Sequence, residues 1–107
     1  MSVTIFGLKT CDTCRKARKA LPEAQFKDVR AEPLTAEERA AFLHAFGDTL
    51  INRSSTTWRG LSEEEREMSP DILLEKYPTL VKRPVIRQND TLFLGWNEKT
   101  HSALGVV

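Results

Sequence analysis

The sequence predicts a single α/β domain with a mixed β-sheet, and three features of its order support this prediction. A β-rich run near the N-terminus leads into a helical pattern, two β-rich runs near the C-terminus flank a turn, and a long helical stretch separates the two parts. A chain of 107 residues is long enough for one hydrophobic core and too short for two. We therefore expect one domain over residues 1–107, with a helical insert at about residues 35–77.

The N-terminal part predicts a β-α-β unit. The run Val3–Phe6 is β-rich and is closed by Gly7, and a helical pattern then extends from about Asp12 to Leu21, where Pro22 ends it. A second short strand is expected at Gln25–Val29. Because a helix connects the two strands, we expect them to pair in parallel.

The middle of the chain predicts several helices. Their N-terminal signals are the capping boxes Thr35-x-x-Glu38 and Ser62-x-x-Glu65 and the pair Ser69-Pro70. Gly47 and Pro78 mark helix ends. The apolar contacts of these helices are expected to come from Phe42, Leu43, Phe46, Ile72, Leu73 and Tyr77.

The C-terminal part predicts a β-hairpin followed by a helix. The runs Pro84–Ile86 and Thr91–Leu94 flank the turn residues Gln88-Asn89-Asp90, and a last helix begins at Asn97. The order is then β-α-β, a helical insert, and β-β-α. This order matches a thioredoxin-like (glutaredoxin-like) α/β fold whose central crossover is enlarged.

The charge balance argues against partners that are polyanions. Sixteen Lys and Arg stand against fifteen Asp and Glu, and the net charge of +1 gives no general attraction to nucleic acid or to an anionic membrane. No apolar run approaches the roughly 18 residues of a membrane span. We therefore expect a cytoplasmic protein that binds neither nucleic acid directly nor a membrane.

Both cysteines lie in the motif Cys11-Asp12-Thr13-Cys14. A structural disulfide would not persist in a reducing compartment, so this spacing predicts redox chemistry. Cys11 stands where a helix begins, and the helix dipole and free amide groups there favour a thiolate near neutral pH. Asp12 opposes this effect in part, and positive charge along the helix comes from Arg15, Lys16, Arg18 and Lys19. The alternative is that Cys11 is an incidental surface cysteine.

Cys14 heads a stripe with Ala17 and Leu21, so its side chain is expected to face the core and to be the less exposed thiol. Two interpretations remain open for it. Cys14 is either a resolving thiol that attacks a mixed disulfide on Cys11, or a small buried hydrophobe. His44 and His101 lie far apart in sequence, so we expect no metal site.

Arg83 and Arg53 are the candidate anion-binding residues, because the planar guanidinium group suits an oxyanion or a carboxylate. Pro84 restricts the backbone of Arg83, and by analogy with the thioredoxin-like fold we expect a cis peptide bond facing Cys11. Thr10, directly before Cys11, completes this set. The alternatives are a solvated charge for Arg83, and for Arg53 a charge before a turn or helix cap.

Several short motifs together resemble a known family. They are Cys11-Asp12-Thr13 after a short strand, Asn52-Arg53 followed by Thr56-Thr57-Trp58-Arg59, and Val81-Lys82-Arg83-Pro84-Val85. In this order they resemble the arsenate-reductase-like ArsC/Spx family, and within it the YffB-like branch. The resemblance implies a thioredoxin-like fold, Cys11 as the nucleophile, and Arg83 and Arg53 as anion-binding groups. It also implies glutathione as a co-substrate rather than a bound cofactor.

Two departures from the family pattern leave three functions in competition. Arsenate reductases of this kind carry a third arginine in the strand after Arg83-Pro84, whereas Leu92–Trp96 contains none. YffB-like members generally lack a cysteine at the Cys14 position, while Spx regulators carry a Cys-x-x-Cys switch. We expect a thiol reductase that acts on glutathionylated or oxyanion substrates, with glutaredoxin as a further partner. The alternatives are a redox-switch regulator that binds RNA polymerase, and arsenate reduction proper.

Overall fold

A computed structural model describes residues 2–105 of the chain. These residues form two compact units, which we call the sheet unit (residues 2–31 and 83–105) and the helical unit (Glu32–Lys82). The sheet unit contains both cysteines, Arg83 and Pro84, and the helical unit contains Arg53. The prediction of a single domain over residues 1–107 stays a prediction.

The element order follows the predicted order closely. In chain sequence the elements are β1 (Val3–Gly7), α1 (Asp12–Ala20), β2 (Gln25–Asp28), α2 (Ala36–Phe46), a 3-10 turn (Gly47–Leu50), α3 (Thr56–Arg59), α4 (Glu63–Arg66), α5 (Pro70–Lys76), a second 3-10 turn (Pro78–Leu80), β3 (Val85–Gln88), β4 (Thr91–Leu94) and α6 (Glu98–Leu104). No helix within residues 2–105 is long and apolar enough to cross a membrane.

The sheet has four strands in the order β2-β1-β3-β4. β1 pairs in parallel with β2, with Ile5 opposite Phe26, and in antiparallel with β3, with Ile86 opposite Ile5. β3 and β4 form the antiparallel hairpin, which places Phe93 opposite Ile86. This β-α-β and β-β-α arrangement of a mixed sheet is the thioredoxin-like fold, so the predicted fold class is confirmed.

The core of the sheet unit lies against the sheet face that carries the side chains of Ile5 and Ile86. Ile5, Ile86 and Ala17 of α1 are fully buried, and each large apolar side chain removed from water contributes about 2 kcal/mol. Partly buried side chains pack against them, namely Val3, Leu21, Ala24, Phe26, Phe93, Trp96 and Leu104. The small side chain of Ala17 lets α1 lie close to the sheet.

The predicted helix signals of the helical unit are present. Thr35 and Ser62 form complete capping boxes with Glu38 and Glu65, and the Ser69 side chain accepts from the Ile72 amide with Pro70 in the first turn. The prediction that Ile72 contributes to the core is wrong, since this residue is 43% exposed. The buried stripe of α5 is instead formed by Leu73 and Leu74, because one residue rotates the side chain by about 100°.

A buried arginine connects α2 and α5. Arg39 is only 8% exposed, and its Nε donates to the Asp71 carboxylate at 2.9 Å. Its two terminal nitrogens donate to the Leu34 carbonyl at 3.0 Å and to the Glu75 carboxylate at 3.4 Å. This network, in which one guanidinium satisfies three acceptors, was not predicted from the sequence.

The structure also defines a short helix in the helical unit and the turn of the hairpin. The segment Thr56–Arg59 forms the short helix α3, with Ser55 as its N-cap. In the hairpin, Gln88 belongs to β3, so the turn is the two-residue Asn89-Asp90 rather than three residues. Asn89 has a φ of 55°, and asparagine tolerates the left-handed conformation that such a tight turn needs.

Candidate thiol site at the start of α1

Cys11 occupies the N-cap position of α1, at the end of the short loop that follows β1. Its backbone is extended, with φ −84° and ψ 123°, and its amide donates to the Leu8 carbonyl at 3.1 Å. The Cys11 carbonyl accepts from the Arg15 amide at 3.0 Å, which begins the helix. The side chain is half-buried, so the sulfur is accessible while its surroundings are fixed by the backbone.

The surroundings of Cys11 favour its thiolate form. Burial alone would raise the pKa of the Cys11 thiol, but several groups more than offset it and the pKa is lowered. The backbone amides of Cys14 and Thr13, the Cys14 thiol and the positive charge of Arg83 all act to lower this pKa. The anion is thus stabilised by amide groups at a helix start and by one cation.

Cys14 has the opposite character. It is fully buried, as predicted, and burial raises the pKa of its thiol to about 12. The Leu8 amide acts to lower this pKa, the neighbouring Cys11 side chain raises it further, and Arg83 lowers it. At neutral pH, Cys14 therefore keeps its proton and can donate it in a hydrogen bond to the Cys11 sulfur.

Gly7 makes room for the buried thiol. A Cβ atom at this position would overlap the Cys14 sulfur and would lie 3.2 Å from the Cys14 Cβ. Gly7 is the last residue of β1, and its carbonyl accepts from the Val29 amide at 2.9 Å. The absence of a side chain here allows α1 to place Cys14 directly against the strand.

The loop before Cys11 is held by a carboxylate that the sequence analysis missed. Asp28, the last residue of β2, accepts from the Lys9 amide at 3.1 Å and, through its other oxygen, from the Arg30 amide at 2.8 Å. Burial would raise the pKa of Asp28, but these amides and that of Ala31 lower it, as does the Lys9 charge. The available signal was an aspartate at the end of a strand beside the Cys11 loop.

Arg83 and Pro84 belong to the same unit as the two thiols. The Arg83–Pro84 peptide bond is cis, as the fold analogy predicts, and Arg83 is half-buried. Pro84 is fully buried, and its carbonyl accepts from the Gly95 amide at 2.8 Å. The charge of Arg83 acts to lower the pKa of both thiols, and Cys11, Cys14 and Arg83 all lie in the sheet unit. Thr10 lies in the exposed turn that precedes Cys11.

Arg53 has its observed contacts within the helical unit. Its guanidinium lies 5.2 Å from the centre of the Trp58 ring and donates to the Asp48 carbonyl at 3.3 Å. Arg66 lies near the same ring, at 5.5 Å, and donates to the Trp58 carbonyl. These contacts give Arg53 a defined place beside an aromatic ring, and its anion-binding role stays a prediction.

Potential metal ligands do not cluster in the region described by the structure. Within residues 2–105, no group of three or more His, Cys, Asp or Glu side chains is placed to hold a metal ion. His44 lies in α2 and His101 in α6, where the His101 ring lies 4.2 Å from the Trp96 ring. The groups that act on the Cys11 thiol are backbone amides, the Cys14 thiol and the Arg83 guanidinium.

A mixed sheet of this topology, with a Cys-x-x-Cys pair at the start of its first helix and a cis-proline at a strand start, defines a thioredoxin-like protein. The model of the ArsC family matches residues 6–104, and the chain belongs to this family.

Named relatives agree with this assignment. An uncharacterised protein of Haemophilus influenzae is 37% identical, with 94% of this chain and 96% of that protein aligned. The global transcriptional regulator Spx of Bacillus subtilis is 29% identical over 90% of this chain and 81% of its own length. The solved structure of a YFFB protein is similar with a TM-score of 0.86 and 28% identity, covering 95% of this chain and 97% of that one.

Proposed function

We propose that the protein is an oxidoreductase, specifically a glutathione-dependent thiol reductase that uses Cys11 as its nucleophile. The observation that carries this proposal is the contrast between two thiols three residues apart: the surroundings lower the pKa of Cys11 and raise that of Cys14 to about 12. Thiol-disulfide exchange requires an attacking thiolate, and a second thiol three residues away can serve as the resolving group. Membership of the ArsC family supports the same reaction class.

In the first step, the Cys11 thiolate attacks the glutathionyl sulfur of a substrate mixed disulfide. A bond forms between the two sulfurs, the substrate S–S bond breaks, and the substrate leaves as a thiolate that takes a proton from water. The product is Cys11 joined to glutathione. The charge of Arg83 acts near the attacking sulfur and stabilises negative charge in the transition state.

In the second step, Cys14 attacks the Cys11 sulfur and releases glutathione. Once Cys11 is part of a disulfide it carries no charge, so its contribution to raising the Cys14 pKa is lost. The Leu8 amide and Arg83, which lower that pKa, remain in place. Burial, the largest cause of the raised Cys14 pKa, also remains, so the first step removes only the part of the rise that is due to Cys11 and thereby favours proton loss from Cys14 as the resolving thiol.

The catalytic cycle closes with external thiols. Two glutathione molecules reduce the Cys11–Cys14 disulfide and leave as oxidised glutathione, so each substrate disulfide consumes two electrons from this pool. Glutaredoxin is an alternative donor of the same two electrons. This chemistry suits a reducing cytoplasm. Thr10 and Pro84 of the sheet unit are candidate contacts for an anionic substrate, and Arg53 is a separate candidate in the helical unit.

A second candidate function rests on the relationship to Spx together with the Cys-x-x-Cys pair. Spx of Bacillus subtilis is a global transcriptional regulator, and a disulfide between Cys11 and Cys14 would alter the surface around α1. This alternative predicts a redox-dependent complex with RNA polymerase and no turnover. Arsenate reduction is disfavoured because the segment Leu92–Trp96 contains no arginine.

The direct test replaces the nucleophile. We expect Cys11→Ser to lose at least a thousandfold of the glutathione-dependent turnover of a disulfide panel, because a serine hydroxyl is not ionised near neutral pH. Full turnover by Cys11→Ser would rule out the proposal. A redox-dependent polymerase complex formed by a wild-type protein without turnover would favour the regulator instead.

A further inference from the structure

Two arginines of α1 lie on the same side of the helix as Cys11. At about 100° per residue, Arg15 and Arg18 stand about 40° and about 20° from Cys11 around the helix axis. With a rise of about 1.5 Å per residue, Arg18 lies about 10 Å along the axis from Cys11. Cys14 and Ala17 of the same helix are buried, so the arginines flank the buried stripe on the exposed surface.

Arg15 and Arg18 line an open groove beside the edge strand β2. The groove has a volume of about 570 Å³ and is lined by Arg15, Arg18, Lys19, Leu21, Pro22, Ala24 and Phe26. The guanidinium of Arg18 lies 4.3 Å from the centre of the Phe26 ring. The groove therefore combines three positive side chains with an apolar floor.

Much of the positive charge of the groove is available to a partner. Arg15 has a long, exposed ion pair with Asp12, at 3.8 Å. In the part of the chain that the structure describes, neither Arg18 nor Lys19 is paired with a carboxylate. Since the whole chain carries a net charge of only +1, this groove is a local concentration of positive charge.

We propose that this groove docks an acidic segment of a substrate protein whose mixed disulfide with glutathione reacts with Cys11. The inference rests on the proposed function and adds the substrate class, a protein with carboxylates near the reactive cysteine. An extended segment advances about 3.3 Å per residue. Acidic residues three or four positions from the substrate cysteine would therefore reach Arg18 and Lys19 while the cysteine lies at Cys11.

Three peptides test the inference. They share one glutathionylated cysteine and differ only at the third and fourth positions after it, which carry Asp-Glu, Asn-Gln or Lys-Lys. With the full-length protein, we expect kcat/KM for the Asp-Glu peptide to exceed that for the Lys-Lys peptide about tenfold at low ionic strength. The preference should fall towards unity at about 0.5 M salt, because surface charges are then screened.

Variants in which positive side chains are replaced by glutamate test the role of the groove. We expect the double variant Arg18→Glu, Lys19→Glu to reverse the order of the peptides, since the Lys-Lys peptide then becomes the complementary partner. A gain for one peptide cannot arise from an unfolded protein. Lys99→Glu makes the same type of change at an exposed position of α6 and should keep the wild-type order.

A measurement of peptide binding without reaction tests the docking proposal independently of the proposed reductase function. The same peptides with serine in place of cysteine, carrying a fluorescent label, report binding by anisotropy without any reaction. If the protein binds the Asp-Glu peptide selectively but shows no turnover, the docking proposal is supported and the proposed reductase function is contradicted. Turnover with less than a twofold difference among the peptides, or a preference that survives charge reversal, would overturn the docking surface.

Discussion

The segment from Leu8 to Cys14 in the sheet unit and the helices of the helical unit use polar groups in different ways. Around Cys11, backbone amides and one guanidinium face a sulfur atom that can carry charge. In the helical unit, side-chain oxygens of Thr35, Ser62 and Ser69 cap helices, and Arg39 is fully engaged with three acceptors. One region keeps polar groups available for chemistry, whereas the other uses them to hold its own helices.

This contrast teaches that reactivity and stability have different structural origins in this chain. Changes in the helical unit should reduce the free energy of unfolding and leave the Cys11 thiol unchanged. Changes around the sulfur atoms should alter the thiol, and only those that disturb packing should also reduce stability.

The largest loss of stability is expected from Arg39→Met. This substitution removes the guanidinium from Asp71, Glu75 and the Leu34 carbonyl, and the expected cost is about 2–3 kcal/mol. The value lies at the low end for a buried charge pair because Asp71 and Glu75 are largely exposed. Urea denaturation gives the free energy of unfolding, and the alkylation rate of Cys11 should not change in the native protein. A slower alkylation would contradict the separation of the two regions.

A smaller loss, of about 2 kcal/mol, is expected from Gly7→Ala, because the added methyl group overlaps the Cys14 sulfur and the interior must shift. Thermal unfolding and the alkylation rate of Cys11 should both change, since the Cys14 thiol contributes to the lowered pKa of Cys11. Gly60→Ala is the matched control, because a Cβ there would make only ordinary contacts of 3.6 Å and 3.7 Å. Equal stability of the two variants would contradict the packing role of Gly7.

The smallest effect is expected from Arg83→Gln. Loss of this positive charge should raise the pKa of Cys11 and slow its alkylation at pH 7 about threefold to tenfold, with little change in the free energy of unfolding. Arg87→Gln removes a guanidinium from the same part of the chain, where Arg87 lies 5.3 Å from the Phe6 ring, and should leave the rate unchanged. Equal rates for the two variants would show that Arg83 does not act on the thiol.

The features that could be predicted from sequence are those set by neighbouring residues. Capping boxes span four residues, and the position of Cys14 inside the core follows from its spacing to Ala17 on one helix. The order of strands and helices then restricted the fold to a thioredoxin-like sheet. The paired β-rich runs near Asn89-Asp90 also predicted the hairpin, although its turn is one residue shorter than expected.

The features that were missed depend on residues far apart in the chain. Arg39 meets Asp71 and Glu75 across 32 and 36 residues, and Asp28 meets the Lys9 amide across 19 residues. The sequence marks Asp28 only as an aspartate at a strand end, and no local pattern marks its Lys9 partner or the partners of Arg39. The exchange of Ile72 for Leu74 in the core has a different cause, since three adjacent apolar residues do not define which side of a short helix is buried.

The measurement that tests the central claim most directly is the pH dependence of iodoacetamide alkylation of Cys11, assigned by mass spectrometry. Because the pKa of Cys14 is raised to about 12, Cys14 should remain unreactive near neutral pH and the rate should report Cys11. A lowered pKa means that the thiolate persists to lower pH, so the rate should reach its plateau at a lower pH than for a free thiol. We predict a pKa clearly below the free-thiol value of about 8.5. A pKa at or above that value would contradict the assignment of Cys11 as an activated nucleophile.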